Sequence, residues 1–272
     1  MIPLISIRNL VVEYDGRRVL DGVNLEINQG ETMVLLGGSG SGKSTLLRHI
    51  IGLQRPRSGE ITIKGIDITR CSKSELKNVR RSIGVAFQSA ALFNSFSLED
   101  NVALPLREHT ALAPSIIELM VWMKLAVVGL AEFGKLLPQE LSGGMKKRAA
   151  VARALAMDPE ILVFDEPSAG LDPIVAAELD ELILTLKQAF QMTVIVVTHE
   201  LASAFRIADR IAMLYKGSFL AIGTRDEVRR SSDTRVKQFL NRVPGDIAHT
   251  LSVERYLKDY VAGHQTAAEE MY

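Results

Sequence analysis

One cysteine, Cys71, stands in 272 residues, so no disulfide forms within the chain, and the composition fits a reducing compartment. Charge of one sign is also lacking. Lys plus Arg and Asp plus Glu each number 32, for a formal net charge of +0, and no global field draws the chain to nucleic acid or to an anionic membrane surface. Long apolar runs are missing too. The nearest candidate, residues 116–133, is interrupted by Glu118, Lys124 and Glu132, which reads as a packed helix rather than a membrane span. Met1-Ile2-Pro3-Leu4 runs straight into a strand pattern with no secretory signal, and no internal repeat or low-complexity tract is present.

What remains is a chain with 47% hydrophobic residues, ample for one large domain or for a domain with a subdomain and a tail. Residues 4–12, 23–27, 32–36 and 59–64 are β-rich, with Gly16, Gly22 and Gly30 punctuating turns. The 32–36 strand leads into a glycine-rich loop, and residues 43–52 read as the helix that follows it. Ser72 and Glu75 form a capping-box pattern at the start of a short helix, before a strand at 83–87. Residues 97–156 turn almost wholly helical, an inserted helical subdomain. Strand 161–164, helix 173–191, strand 193–197 and helix 200–208 then alternate, and strands 210–215 and 218–222 meet at Lys216-Gly217 as a hairpin. Apolar strands separated by amphipathic helices predict an α/β fold with a buried parallel sheet.

The domain is expected over residues 1–241, with 242–272 as a C-terminal extension. Pro244-Gly245 breaks the helix there, and Val253, Tyr256, Leu257 and Tyr260 share one face of residues 252–262. That segment is either a polar tail or an amphipathic helix docking on a second protomer.

Three motifs carry chemistry. Gly37-Gly38-Ser39-Gly40-Ser41-Gly42-Lys43-Ser44 fits G-x-x-x-x-G-K-[ST], a loop whose amides cradle phosphate oxygens, with Lys43 neutralising charge and Ser44 on Mg²⁺. Gly37, Ser39, Gly40, Ser41, Gly42, Lys43, Ser44 and Thr45 are the expected nucleotide contacts. Ile161-Leu162-Val163-Phe164-Asp165-Glu166 is a buried-strand pattern ending in two carboxylates, at the sheet edge where such folds bind ligands. Between them lies Leu141-Ser142-Gly143-Gly144-Met145. Ser142 caps a long helix and the two glycines leave its first amides uncovered, so the helix terminus is an anion site.

In this order the motifs resemble the ATPase subunit of an ABC transporter, over residues 5–239. The resemblance implies a P-loop NTPase core with an N-terminal antiparallel β subdomain and an inserted α-helical subdomain, using ATP and Mg²⁺. It implies that Asp165 is the Walker B aspartate holding Mg²⁺ through water, and that Glu166 is the general base on the attacking water, a role worth roughly 10²–10⁴-fold in rate. Gln88, after strand 83–87, resembles the Q-loop glutamine that ligates Mg²⁺ and senses the γ-phosphate. His199 resembles the switch histidine, and Tyr14 the aromatic that stacks on adenine. The other four histidines, His49, His109, His249 and His264, fall outside these motifs and read as structural.

Since the P-loop is already one phosphate cradle, the anion site at Ser142, Gly143 and Gly144 implies a second phosphate, in the family the partner subunit's ATP. A head-to-tail homodimer with two-fold symmetry follows, and Ser168-Ala169-Gly170-Leu171-Asp172 resembles the D-loop that crosses its interface.

Met145 stands where the signature usually has Gln, followed by Lys146-Lys147-Arg148. Together with Gln88-Ser89-Ala90-Ala91-Leu92-Phe93 and residues 101–109, this resembles the ATPases of MCE-associated, Mla-type lipid transporters. That branch implies an integral-membrane permease dimer and an MCE-type lipid-binding protein as partners, no nucleic acid, and a peripheral position on the cytoplasmic face of the inner membrane. Leu92, Phe93, Phe96 and the helix at 116–128 are candidates to line the permease groove. The alternatives are the ATPase of a small-solute importer, or a soluble ABC-type ATPase acting on DNA or ribosomes. The latter would carry a coiled-coil insertion, zinc ligands or a second P-loop. A nucleotide switch without turnover is opposed by Glu166 and His199.

Overall fold

Strands β1 (Ile5–Tyr14), β2 (Arg17–Ile27) and β3 (Thr32–Leu36) open the computed structural model, which describes residues 3–243. Helix α1 (Lys43–Ile50), strands β4 (Ser58–Ile63) and β5 (Ile66–Asp67), helix α2 (Lys73–Arg81) and strand β6 (Ile83–Ala86) follow. Helices α3 (Leu98–His109), α4 (Pro114–Val127) and α5 (Gly143–Ala154) come next, with single 3-10 turns at Ala131–Phe133 and Pro138–Glu140. The chain continues through β7 (Ile161–Asp165), α6 (Pro173–Phe190), β8 (Thr193–Thr198), α7 (Leu201–Ile207), β9 (Arg210–Tyr215), β10 (Ser218–Thr224), α8 (Arg225–Arg229) and α9 (Thr234–Leu240). Two compact units divide it, Met1–Ser231 and Ser232–Tyr272. In the second, α9 is capped by the Asp233 carboxylate, which accepts from Arg235 N at 2.8 Å; the helix expected at 252–262 lies outside the described residues.

The first unit holds two sheets. One is antiparallel, in the order β2-β1-β4-β5; the other runs β10-β9-β3-β8-β7-β6. In the second sheet every neighbouring pair is parallel except the β9–β10 hairpin. Every residue of β3 and β8 is buried, which is why both read as near-continuous apolar runs instead of alternating ones. Where β1 passes β4, a Cβ on Gly59 would lie 2.6 Å from Leu10 Cα; only glycine fits there.

One core joins the sheets. Ile5, Leu10, Leu20 and Ile27 of the antiparallel sheet, Leu46, Leu47 and Ile50 of α1, and Met33 and Leu35 of β3 belong to a single buried cluster. Helix α1 is thereby anchored by its apolar face to both sheets, and the loop before it inherits that anchorage. Lining up the fixed end of β3 with the start of α1 is what positions the site.

The segment 116–133 is not one continuous helix. Helix α4 ends at Val127, and Gly129 follows in the left-handed region at φ 73, a common way to stop a helix. Among the described residues no helix is long and apolar enough to cross a membrane.

Candidate nucleotide site

The loop between β3 and α1 bends through left-handed backbone at Gly40 (φ 72) and Gly42 (φ 108). Gly42 caps α1 without a side chain, so the first amides of the helix face the loop's concavity, the usual geometry for an anion. Lys43 is buried and its Nζ donates to Gly37 O at 2.7 Å and Gly38 O at 3.0 Å. Burial holds this ammonium below the ordinary lysine range, against the opposing pull of Glu166 and Asp165.

Two neighbouring strands deliver the anionic side. Phe164 of β7 pairs with Val196 of β8, and Asp165 with Val197. Glu166 follows with φ 48 and donates its amide to Val197 O at 2.8 Å. A left-handed residue other than glycine costs about 1–3 kcal/mol and persists where its surroundings over-determine it. The result is a carboxylate turned back across the strand ends. Its Oε1 lies 4.0 Å from Lys43 Nζ, and its Oε2 lies 2.8 Å from His199 Nδ1. His199 follows β8 and has a second contact, Nε2 to Glu200 Oε1 at 3.5 Å.

Asp165 sits behind this pair. Burial, then repulsion from Glu166, raises its carboxyl above the usual range, while Arg48, Lys43 and Lys147 pull it back. Its Oδ1 is buried with no hydrogen-bond partner, as is Ser41 Oγ. Unsatisfied buried oxygens beside a phosphate-type loop suit a ligand or hydrated cation that completes them.

Gln88 is exposed beyond β6 and lines an open cavity of about 580 Å³ with Phe87, Ser89, Asp165 and Gly170. Lys43, Asp165, Glu166, His199 and Gln88 are therefore arrayed along adjacent strand ends. Tyr14 ends β1 at 41% exposure, its hydroxyl bonded to the Gln54 side chain.

The signature segment is turned elsewhere. Ser142 Oγ caps α5 by accepting from Met145 N at 3.2 Å. A Cβ on Gly144 would lie 2.7 Å from Val175 Cγ1, and one on Gly143 3.6 Å from Leu171 Cδ2. Among the described residues no hydrogen bond joins Ser142, Gly143 or Gly144 to the P-loop. Asp172 caps α6, accepting from Ile174 N at 3.0 Å and Val175 N at 3.1 Å.

Sequence reasoning overlooked three residues around the site. Lys147 Nζ donates to Gln88 O at 2.5 Å and Glu166 O at 3.3 Å. Arg153 donates to Ala91 O at 2.6 Å and Ala90 O at 2.9 Å. Buried Asn101 accepts from Phe93 N at 2.8 Å and donates to Phe93 O and Phe96 O. The basic run after the signature was the only hint, and it carried no direction.

A phosphate-type loop at the centre of a parallel sheet, faced by a carboxylate pair and a histidine on the next strands, defines a nucleotide-binding P-loop protein. The family model described as ABC transporter matches residues 20–169, and the chain belongs to the ABC transporter family. The chain is 42% identical over 257 residues to the intermembrane phospholipid transport system ATP-binding protein MlaF of Haemophilus influenzae, covering 94% of this chain and 97% of that one. It is also 42% identical over 274 residues to the probable ribonucleotide transport ATP-binding protein mkl of Mycobacterium tuberculosis, covering 98% of this chain and 76% of the relative. Among solved structures, the ATP-binding cassette MJ0796, a dimer bound to ADP and Pi, superposes with a TM-score of 0.75 at 32% identity, covering 81% of this chain and 98% of that one. The cbiO1 cassette of Clostridium perfringens, part of the cbiONQ ABC transporter complex, superposes with a TM-score of 0.79 at 30% identity, covering 93% and 100%.

Proposed function

We propose that the chain is the ATP-hydrolysing subunit of a membrane phospholipid transporter of the MCE-associated, Mla type. The observation that carries the hydrolytic part is the Glu166 carboxylate, held between His199 and Lys43 at the mouth of the phosphate loop. Glu166 is the general base and His199 orients it; Lys43 and the amides from Gly37 to Thr45 hold the phosphates. Ser44, Asp165 and Gln88 would hold Mg²⁺, which supplies charge neutralisation at the phosphate oxygens. Tyr14 stacks on the adenine. Ser142, Gly143 and Gly144 serve the nucleotide of a second copy, so the working unit is a homodimer, with residues 1–241 as its ATPase domain and 97–156 as the helical subdomain.

The lipid part rests on the near full-length similarity to MlaF. A permease dimer docks on the groove of about 560 Å³ lined by Lys77, Arg81, Phe87, Phe93, Pro105 and Met157. At its rim the half-exposed Phe93 stacks on Phe96 with ring centroids 5.4 Å apart, a pair whose backbone buried Asn101 fixes. Helix α4 lines a different cavity, against α3. An MCE-type lipid-binding protein completes the assembly, and this chain sits peripherally at the cytoplasmic face of the inner membrane.

The similarity to mkl favours one second reading, an importer of small solutes such as ribonucleotides. Pull-down of the tagged chain from native membranes decides between them. Permease, MCE protein and bound phospholipid are expected, and Phe93→Asp should lose all three while still binding ATP. A permease with a soluble receptor and no phospholipid supports the solute reading.

A further inference from the structure

The ammonium of Lys147 touches the backbone of the two segments that carry Gln88 and Glu166. Its Nζ donates to Gln88 O and to Glu166 O, at 2.5 Å and 3.3 Å. Those segments leave adjacent parallel strands, β6 and β7, whose Ala86 and Phe164 are paired. The Glu166 carbonyl also accepts from Ala169 N at 3.2 Å, so its left-handed turn is closed by two donors, one of which belongs to another element. Farther along α5, Arg153 grips Ala90 and Ala91, two consecutive left-handed residues at φ 60 and φ 50. Helix α5 thus holds the segment 88–91 at both ends.

Lys147 and Gly143 are four residues apart in α5, one above the other on the same helix face. A helix turn is rigid on this scale, about 6 Å from one residue to the other at 1.5 Å per residue. Whatever fixes the glycines of the signature also fixes Lys147, and Lys147 fixes the main chain of Gln88 and Glu166.

We propose that Lys147 is a positioning residue that links the two composite sites of the dimer: the end of α5 that contacts the partner's nucleotide sets, through Lys147, the backbone carrying this protomer's own Gln88 and Glu166. The inference rests on the ATPase reading above. Lys147 touches no nucleotide in this scheme, so its loss acts on turnover and not on binding.

The test compares Lys147→Met and Lys147→Arg with wild type as full-length chains, by steady-state phosphate release against ATP concentration and by titration with a fluorescent ATP analogue. Lys147→Met is expected to lower kcat at least about 10-fold with KM and analogue affinity within about twofold, and Lys147→Arg to restore kcat to within about threefold. If Lys147→Met does not fold, Lys147→Gln carries the same test: it is shorter and uncharged, and its kcat should drop about fivefold or more at unchanged KM. Wild-type kcat in the folded Met or Gln variant overturns the proposal, as does a folded Lys147→Arg no better than Met. Glu166→Gln run alongside separates the two readings. If it hydrolyses ATP normally, the ATPase site itself is misassigned; if it is inert while Lys147→Met turns over like wild type, only the link through Lys147 fails.

Discussion

Glu166 and His199 meet across the ends of two parallel strands, Oε2 to Nδ1 at 2.8 Å, and the His199 amide lies 3.4 Å from the same oxygen. One carboxylate oxygen is thus occupied by histidine while the other faces Lys43. On the proposed assignment, the Lys43-facing oxygen is the one that would take the attacking water.

Glu166→Gln keeps the shape and the contact to His199 but removes the base. Turnover should fall at least about 100-fold, with ATP binding retained and a dimer accumulating at saturating ATP. His199→Ala leaves Oε2 of the carboxylate with only the backbone amide contact, and should lower kcat about 10-fold at nearly unchanged ATP affinity. Phosphate release and size-exclusion chromatography read both. Hydrolysis within about threefold of wild type in Glu166→Gln contradicts the assignment.

Asp165 links the site to stability. Burial, then Glu166, raises its folded carboxyl above the 3.8 of an unperturbed aspartate. Between that value and the raised one the folded chain binds more protons than the unfolded chain, so stability contributed here falls as pH rises through the raised value. Asp165→Asn should therefore melt higher than nucleotide-free wild type at about pH 7.5, with the gap closing towards about pH 4. Each kcal/mol relieved is worth about 2–4 °C. Hydrolysis should be lost in the same variant. A lower melting point at neutral pH would show that the buried carboxylate is not a cost.

Gly143→Asp tests the second anion site. A Cβ there meets Leu171 Cδ2 at 3.6 Å, ordinary contact, and an acidic residue suits a helix N-terminus, so the fold should survive. Nucleotide binding by the monomer should persist, while hydrolysis disappears. Mixed one to one with Lys43→Ala, which lacks a working P-loop, the variant should regain roughly a quarter of wild-type turnover if subunits pair at random. No recovery in a mixture shown to form mixed dimers would remove the support for a shared site.

Local signals were legible in the sequence. Strands expected at 32–36 and 210–215 appear as β3 and β9, and the capping box at α2 is complete, with Glu75 N on Ser72 Oγ at 3.2 Å and Ser72 N on Glu75 Oε2 at 2.9 Å. These depend on residues three apart or on an unbroken apolar run. The two-residue strand β5 is too short to leave a pattern. Helix α4 ends at Val127, one residue short of the 116–128 helix expected, and the longer apolar stretch to 133 is broken where Gly129 turns left-handed. The P-loop, Asp165, Glu166 and His199 could be named because their spacing within each motif is short. What Lys147 and Arg153 hold could not, since Gln88, Ala90 and Ala91 lie 59 to 63 residues earlier and Glu166 lies 19 later, and these meet α5 only after β6 and β7 pair.

Strand β3 has a consequence in time. Its Leu36 pairs with Thr198 on one side and with Met213 on the other. A ribosome adding about 5–20 residues per second takes roughly 10–35 s to pass from the first of these to the last. Until β7 and β8 are made Lys43 has neither Glu166 nor His199 to face, and for the rest of the interval β3 still lacks β9 on its other side. The apolar strand that the finished fold buries on both sides therefore gains its second neighbour only once β9 is made.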